Sequence, residues 1–179
     1  MFTMPVAGAP TTRGKSGTGK GFAIGRGHTV SRQLPEVMGE YPAAAMAEEI
    51  TRAGDQGIKV MITVAGNPVL STPNSLQLDE ALSELEFMVS VDMYLNETTR
   101  HAHYILPSTT TLEHDHYDIA LNAVAIRNTA RWNGALCEPP PGALHDWQIF
   151  LRLIAELQGG LAGKALRAMG ERLPPRAVV

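Results

Sequence analysis

The chain has 179 residues, 44% apolar and 18% charged, with a formal net charge of −3 at pH 7. That length fits about one domain with an ordinary core, and the acidic balance lacks the basic footprint that a nucleic-acid partner requires. Its single cysteine, Cys137, excludes an internal disulfide and any cysteine-only metal or iron–sulfur centre built from this chain, and no apolar run is long enough to span a bilayer.

The N-terminus, MFTMPVAGAP, has no charged leader followed by an apolar stretch, so a cytoplasmic location is expected. Residues 1–41 read as an irregular Gly/Pro-rich arm, in which RGKSGTGKG (Arg13 to Gly21) imitates a phosphate-binding loop. That motif needs a Ser or Thr hydroxyl on magnesium where Gly21 stands, a buried strand before it and a helix after it. Gly25 and Gly27 would weaken such a helix by about 1 kcal/mol each. The stretch is expected to be a loop that binds no nucleotide productively.

YPAAAMAEEITRAGDQG then predicts a short helix, with Pro42 in its first turn and Gly54 or Gly57 ending it. IKVMITVAGNP is a near-continuous apolar run, which predicts a strand covered on both faces as in a parallel sheet. LQLDEALSELEF predicts a helix with Leu76, Leu78, Leu82 and Leu85 along one stripe. FMVSVDMY is a second strand ending at Asp92, NETTRHA a helical turn, and YILPS a third strand stopped by Pro107. This order is a βαβ pattern, hence a three-layer Rossmann-like α/β domain with a short parallel sheet. HDWQIFLRLIAEL predicts a last helix, with Trp147, Phe150, Leu151, Ile154 and Leu157 at helical spacing and Gly159-Gly160 ending it. The domain is expected over 42–160, and 161–179 as a loose tail.

In open parallel sheets ligands bind beyond the carboxyl ends of the strands. Gly66-Asn67-Pro68 and Asp92 fall there. Gly66 permits close approach of backbone to a ligand, Asn67 offers an amide, and Asp92 can accept from two donors side by side, as on the edge of a guanine. The alternative stands beside it: GNP is a plain turn and Asp92 a strand-end cap. His101 and His103, and His114 and His116, are each spaced two apart and could share a metal if on a strand, or could be solvated. No Ser-His-Asp pattern is evident, Ser71 and Ser108 lie in no nucleophile elbow, and Cys137 in LCEPPPG reads as a bystander.

Taken together, Gly66-Asn67-Pro68, Leu85-Glu86, Asp92, Glu97-Thr98, Leu106-Pro107 and Glu113, with Asp146-Trp147 downstream, resemble one family in order and spacing. It is the molybdopterin oxidoreductases of the dimethyl sulfoxide reductase superfamily, which includes formate dehydrogenases and nitrate reductases. The resemblance covers roughly residues 25 to 160. It implies a molybdopterin guanine dinucleotide cofactor contacted by Gly66, Asn67, Pro68, Ser71, Asp92 and Thr98. Two-electron redox chemistry at molybdenum would belong to a longer parent enzyme. That parent's iron–sulfur cluster and molybdenum ligand cannot be matched to residues here, so the implied partners are further domains or subunits. One departure is Ala102-His103, where the family usually has Ala-Asp. The competing expectation is a stand-alone, non-catalytic nucleotide-binding or interaction module.

Overall fold

The computed structural model describes residues 24–37, 39–117 and 131–172, which divide after Leu106 into two compact units. RGKSGTGKG lies outside the described residues.

The first unit opens on an antiparallel pair, β1 (Ile24–His28) and β2 (Pro35–Val37), where the sequence predicts only an irregular arm. Polar bonds hold it, so no apolar periodicity announces it. Glu36 is buried and accepts from the backbone N–H of Arg26 at 3.1 Å and from its guanidinium at 2.7 Å. The connecting loop is tied to the next helix: Glu49 accepts from the N–H groups of Val30 (2.8 Å) and Ser31 (2.7 Å), and Arg32 pairs with buried Glu48.

After a 3-10 turn at Ala43–Ala45 come α1 (Met46–Thr51), β3 (Val60–Val64), α2 (Pro68–Ser71), α3 (Ser75–Leu82), β4 (Phe87–Val91), a 3-10 turn at Thr99–His101 and β5 (Tyr104–Leu106). The strands form the expected short parallel sheet in the order β3-β4-β5. In register, Met61 lies beside Met88 and Thr63 beside Ser90. That face is buried: Met88 packs with Ile50, Leu78, Ala81, Leu82 and Leu85, while the Thr63 and Ser90 hydroxyls satisfy each other at 2.7 Å. Leu76 leaves the expected stripe and is 76% exposed, because at 3.6 residues per turn it lies roughly 200° round α3 from Leu78, while Leu85 reaches the core from the turn after Leu82.

The opposite face departs from the expectation of cover on both sides. Val60, Ile62 and Val64 are 56%, 55% and 49% exposed, and Tyr104 is 63% exposed. A patch of this kind promotes self-association. Replacing Ile62 with Thr, which keeps the β-branch, should therefore lower binding of an apolar dye and the aggregated fraction in light scattering without shifting the melting temperature. A clear fall in melting temperature would show that the face is packed in solution.

The second unit holds the two-residue pair β6 (His116–Tyr117) and β7 (Trp132–Asn133), then α4 (Asp146–Gln158) and α5 (Gly160–Arg172). α5 replaces the loose tail predicted from 161. The Gly159-Gly160 stop holds, with both residues at positive φ (+59° and +55°), but it makes a corner between helices rather than an end. In α4 the buried residues are Ile149 and Ala155, whereas Ile154 and Leu157 of the predicted stripe are 44% and 85% exposed. A Cβ on Gly163 of α5 would collide with the carbonyl of Ala155. The seam between the helices therefore runs through small residues, which sequence periodicity weighted by bulk does not find.

His145 precedes α4, donating its N–H to the Gln148 side chain at 2.9 Å, and its buried ring bonds the Thr109 hydroxyl at 2.8 Å. Burial, then nearby His114, push its pKa below the ordinary histidine value, against weaker opposing pulls from Asp146 and Asp115. The folded unit thus binds fewer protons than the unfolded chain, and stability is lost as pH falls from about 6.5 towards the lowered folded value. Melting of the second unit should shift down between pH 7.5 and pH 5.5, and His145→Asn should flatten that dependence; an unchanged slope in the variant would assign it elsewhere.

Candidate functional site

The carboxyl ends of β3 and β4 carry two loops that are joined to each other. Between β3 and α2 the chain turns through Ala65 and Gly66, and Ala65 sits at φ +40°, a region a residue with a Cβ seldom adopts. The N–H of Ala65 donates to the carbonyl of Val91 at 2.9 Å, fixing the turn to the end of the central strand. Pro68 occupies the first position of α2, where its missing N–H costs no helical bond, and Ser71 ends that helix in an exposed position.

Asn67 links this loop to the next one. Its Nδ2 donates to Glu97 Oε2 at 2.6 Å, and its Oδ1 accepts from the Thr98 hydroxyl at 2.7 Å. Thr98 is fully buried, and its oxygen also accepts from the N–H of Val69 at 3.1 Å. The Asn67 amide, first of all, holds the Glu97 carboxyl below the usual carboxylate range, so Glu97 is ionised at neutral pH.

Asp92 follows β4 directly and is 8% exposed. Its Oδ1 accepts from the N–H of Tyr94 at 2.9 Å, and Oδ2 from Asn96 Nδ2 at 3.3 Å. Asn96 is itself held, its Oδ1 accepting from the N–H groups of Thr98 (3.0 Å) and Thr99 (2.9 Å). The strand-end cap foreseen as the alternative is therefore present. Each carboxylate oxygen nonetheless carries one of these bonds and keeps a further acceptor site. Sequence reasoning passed over Asn96 and gave Glu97 no role; the usable signal was N-E-T-T, a run whose Asn and Thr side chains bond their own backbone.

The remaining candidates are dispersed. His101 bonds Asp79 through Nε2 at 2.6 Å, whereas His103 turns to β4, its Nδ1 accepting from the N–H of Met88 at 3.0 Å. In the second unit Glu113 accepts from the N–H of Thr110 at 2.8 Å and Asp115 from that of Ala135 at 2.8 Å, while His116 is exposed. Among the described residues no three His, Cys, Asp or Glu side chains converge as metal ligands. No described helix is long and apolar enough to cross a membrane. Cys137 is exposed. A cavity of about 300 Å³ between α4 and α5, lined by Ala155, Gly159, Gly163, Lys164 and Arg167 among others, contains none of the candidate residues.

Comparison with known proteins shows the family. The profile of the family described as Molybdopterin oxidoreductase matches residues 6–156. The chain is 34% identical over 113 residues to the assimilatory nitrate reductase catalytic subunit of Bacillus subtilis, covering 63% of this chain and 15% of that protein. It is 26% identical over 128 residues to the probable oxidoreductase YyaE of the same organism, covering 72% and 19%. With the F420-dependent formate dehydrogenase subunit alpha of Methanocaldococcus jannaschii the identity is 31% over 116 residues, covering 63% and 16%. The chain thus matches less than a fifth of the length of these relatives.

Proposed function

This chain belongs to the molybdopterin oxidoreductase family, and from that premise we propose that its α/β region, expected over 42–160, cradles the guanine end of a molybdopterin guanine dinucleotide. The observation that carries the reading is Asp92: a carboxylate at the end of the central strand, oriented by Tyr94 and Asn96, with an acceptor site to spare on each oxygen. Guanine presents two adjacent N–H donors to such a pair, and adenine does not. In this reading Gly66, Asn67 and Pro68 form the neighbouring wall and Ser71 its rim, with Thr98 held to Asn67 by a hydrogen bond. The chemistry of the two loops fits the group: residues 65–71 and 92–99 carry the carboxylates of Asp92 and Glu97 and no cationic side chain, which suits the base and sugar hydroxyls better than the phosphates.

When bound, the cofactor supplies two-electron redox reactivity at its molybdenum. The residues here do no chemistry; they bind, orient and discriminate. Activity as a whole oxidoreductase, an iron–sulfur cluster ligated elsewhere, partner domains or subunits and a cytoplasmic setting belong to the same proposal. The test is native purification from a host that makes the cofactor, followed by metal analysis and mass spectrometry of the released small molecules. A guanine-containing pterin dinucleotide with molybdenum is the expected result. Protein purified free of any guanine nucleotide would overturn the reading.

A further inference from the structure

We propose that Glu97 is a positioning residue for this site, pinning the Asn67 carboxamide so that the Gly66-Asn67-Pro68 turn and the Asp92-to-Thr98 loop present one fixed surface to the nucleotide. The inference rests on the guanine-end reading above and gives a role to a side chain outside the contact set.

Proton accounting around Thr98 carries it. The Thr98 oxygen accepts from the N–H of Val69 at 3.1 Å, so its own hydrogen is free to go to Asn67 Oδ1 at 2.7 Å. The Glu97 carboxylate fixes the amide's orientation, because it can only accept: Oδ1 in the place of Nδ2 would set acceptor against acceptor, whereas the Thr98 oxygen could take either end of the amide. Nδ2 is thereby directed at Glu97 Oε2, 2.6 Å away and 30 residues distant in sequence. A charged acceptor makes that bond stronger than a neutral one would. Thr98 alone holds one end of the carboxamide; Glu97 holds the other and stops it swinging. The Thr98–Val69 and Ala65–Val91 bonds survive its removal, so the loops stay folded but lose their fixed separation.

The experiment uses the full chain with guanosine diphosphate as probe, in calorimetric titrations, together with the backbone amide signals of Gly66 and Asn67 by NMR. Glu97→Ala should weaken binding about tenfold and shift both amides, with the melting temperature unchanged. Glu97→Gln, which keeps an acceptor oxygen, should recover most of the affinity. Equal affinity of Glu97→Ala and the unsubstituted chain would overturn the role. So would equal losses in both variants with the Gly66 and Asn67 signals unmoved, which would make Glu97 a direct ligand. A melting temperature that falls in step with affinity would make it merely structural. If the unsubstituted chain does not bind the probe, the guanine-end reading falls and this proposal with it; binding that is unaffected by Glu97→Ala removes only the proposal.

Discussion

Asp92→Asn should weaken binding of guanosine diphosphate about tenfold or more and abolish its preference over adenosine diphosphate. The substitution keeps shape and volume, and the asparagine oxygen can still accept from the N–H of Tyr94, preserving the turn. The new amide nitrogen takes the place of Oδ2, where it faces Asn96 Nδ2 and, in the complex, a guanine N–H. Asn96 cannot turn its oxygen round without giving up the N–H groups of Thr98 and Thr99. A donor is thus set against donors in a place only 8% exposed, and an unmade buried bond of this kind costs about 1–3 kcal/mol. Part of that cost falls on the free protein as a small drop in melting temperature, and the rest on the complex. The preference ratio separates the two readings of Asp92. A residue that only caps the strand would lower stability and leave the guanine-to-adenine ratio unchanged, which would sink the guanine assignment.

What was legible in the sequence follows what each element is made of. β3, β4 and β5 were visible because their apolar runs end sharply at Gly66, Asp92 and Pro107, and strand ends are where chain punctuation is strongest. The parallel order followed from the helical pattern between them. The antiparallel pair of β1 and β2 was not visible, because Glu36 and Arg26 hold it, and a carboxylate bonding across ten residues leaves no periodic trace. α5 was missed for a related reason: its seam is made by Gly163 against Ala155, small residues that a search for bulk ignores. The exposed face of β3 could not be read either, since Val60, Ile62 and Val64 look alike in sequence whether or not something covers them. At the site, the family resemblance named Asn67, Asp92 and Thr98, which hydrogen bonds link by way of Asn96. It did not tell a wall from a brace. That distinction lies in the direction of single protons, which only the assembled geometry supplies.

Thr98→Val gives the largest stability effect expected at the site. Valine fills the same volume, so packing around a fully buried side chain is kept and only the hydroxyl is lost. Two groups then lose a partner at once: the N–H of Val69 loses its acceptor and Asn67 Oδ1 its donor. A buried polar group left unpaired costs about 1–3 kcal/mol, and the half-buried Asn67 can recover part of this from water, so a net loss of about 2–3 kcal/mol is expected. For a unit of this size each kcal/mol lowers the melting temperature by about 4–8 °C, making the drop easy to resolve. Thr98→Ser keeps the hydroxyl and sheds only a methyl group, so it should lose much less. Hydrogen exchange at the Val69 amide adds an independent reading, because it should accelerate in the valine variant and not in the serine one. If Thr98→Val melts like the unsubstituted chain and Val69 remains protected, water or another acceptor has replaced the hydroxyl. The bond from Thr98 to Asn67 would then add nothing to the hold on the carboxamide, and the Glu97 carboxylate alone would set which end of it faces a nucleotide.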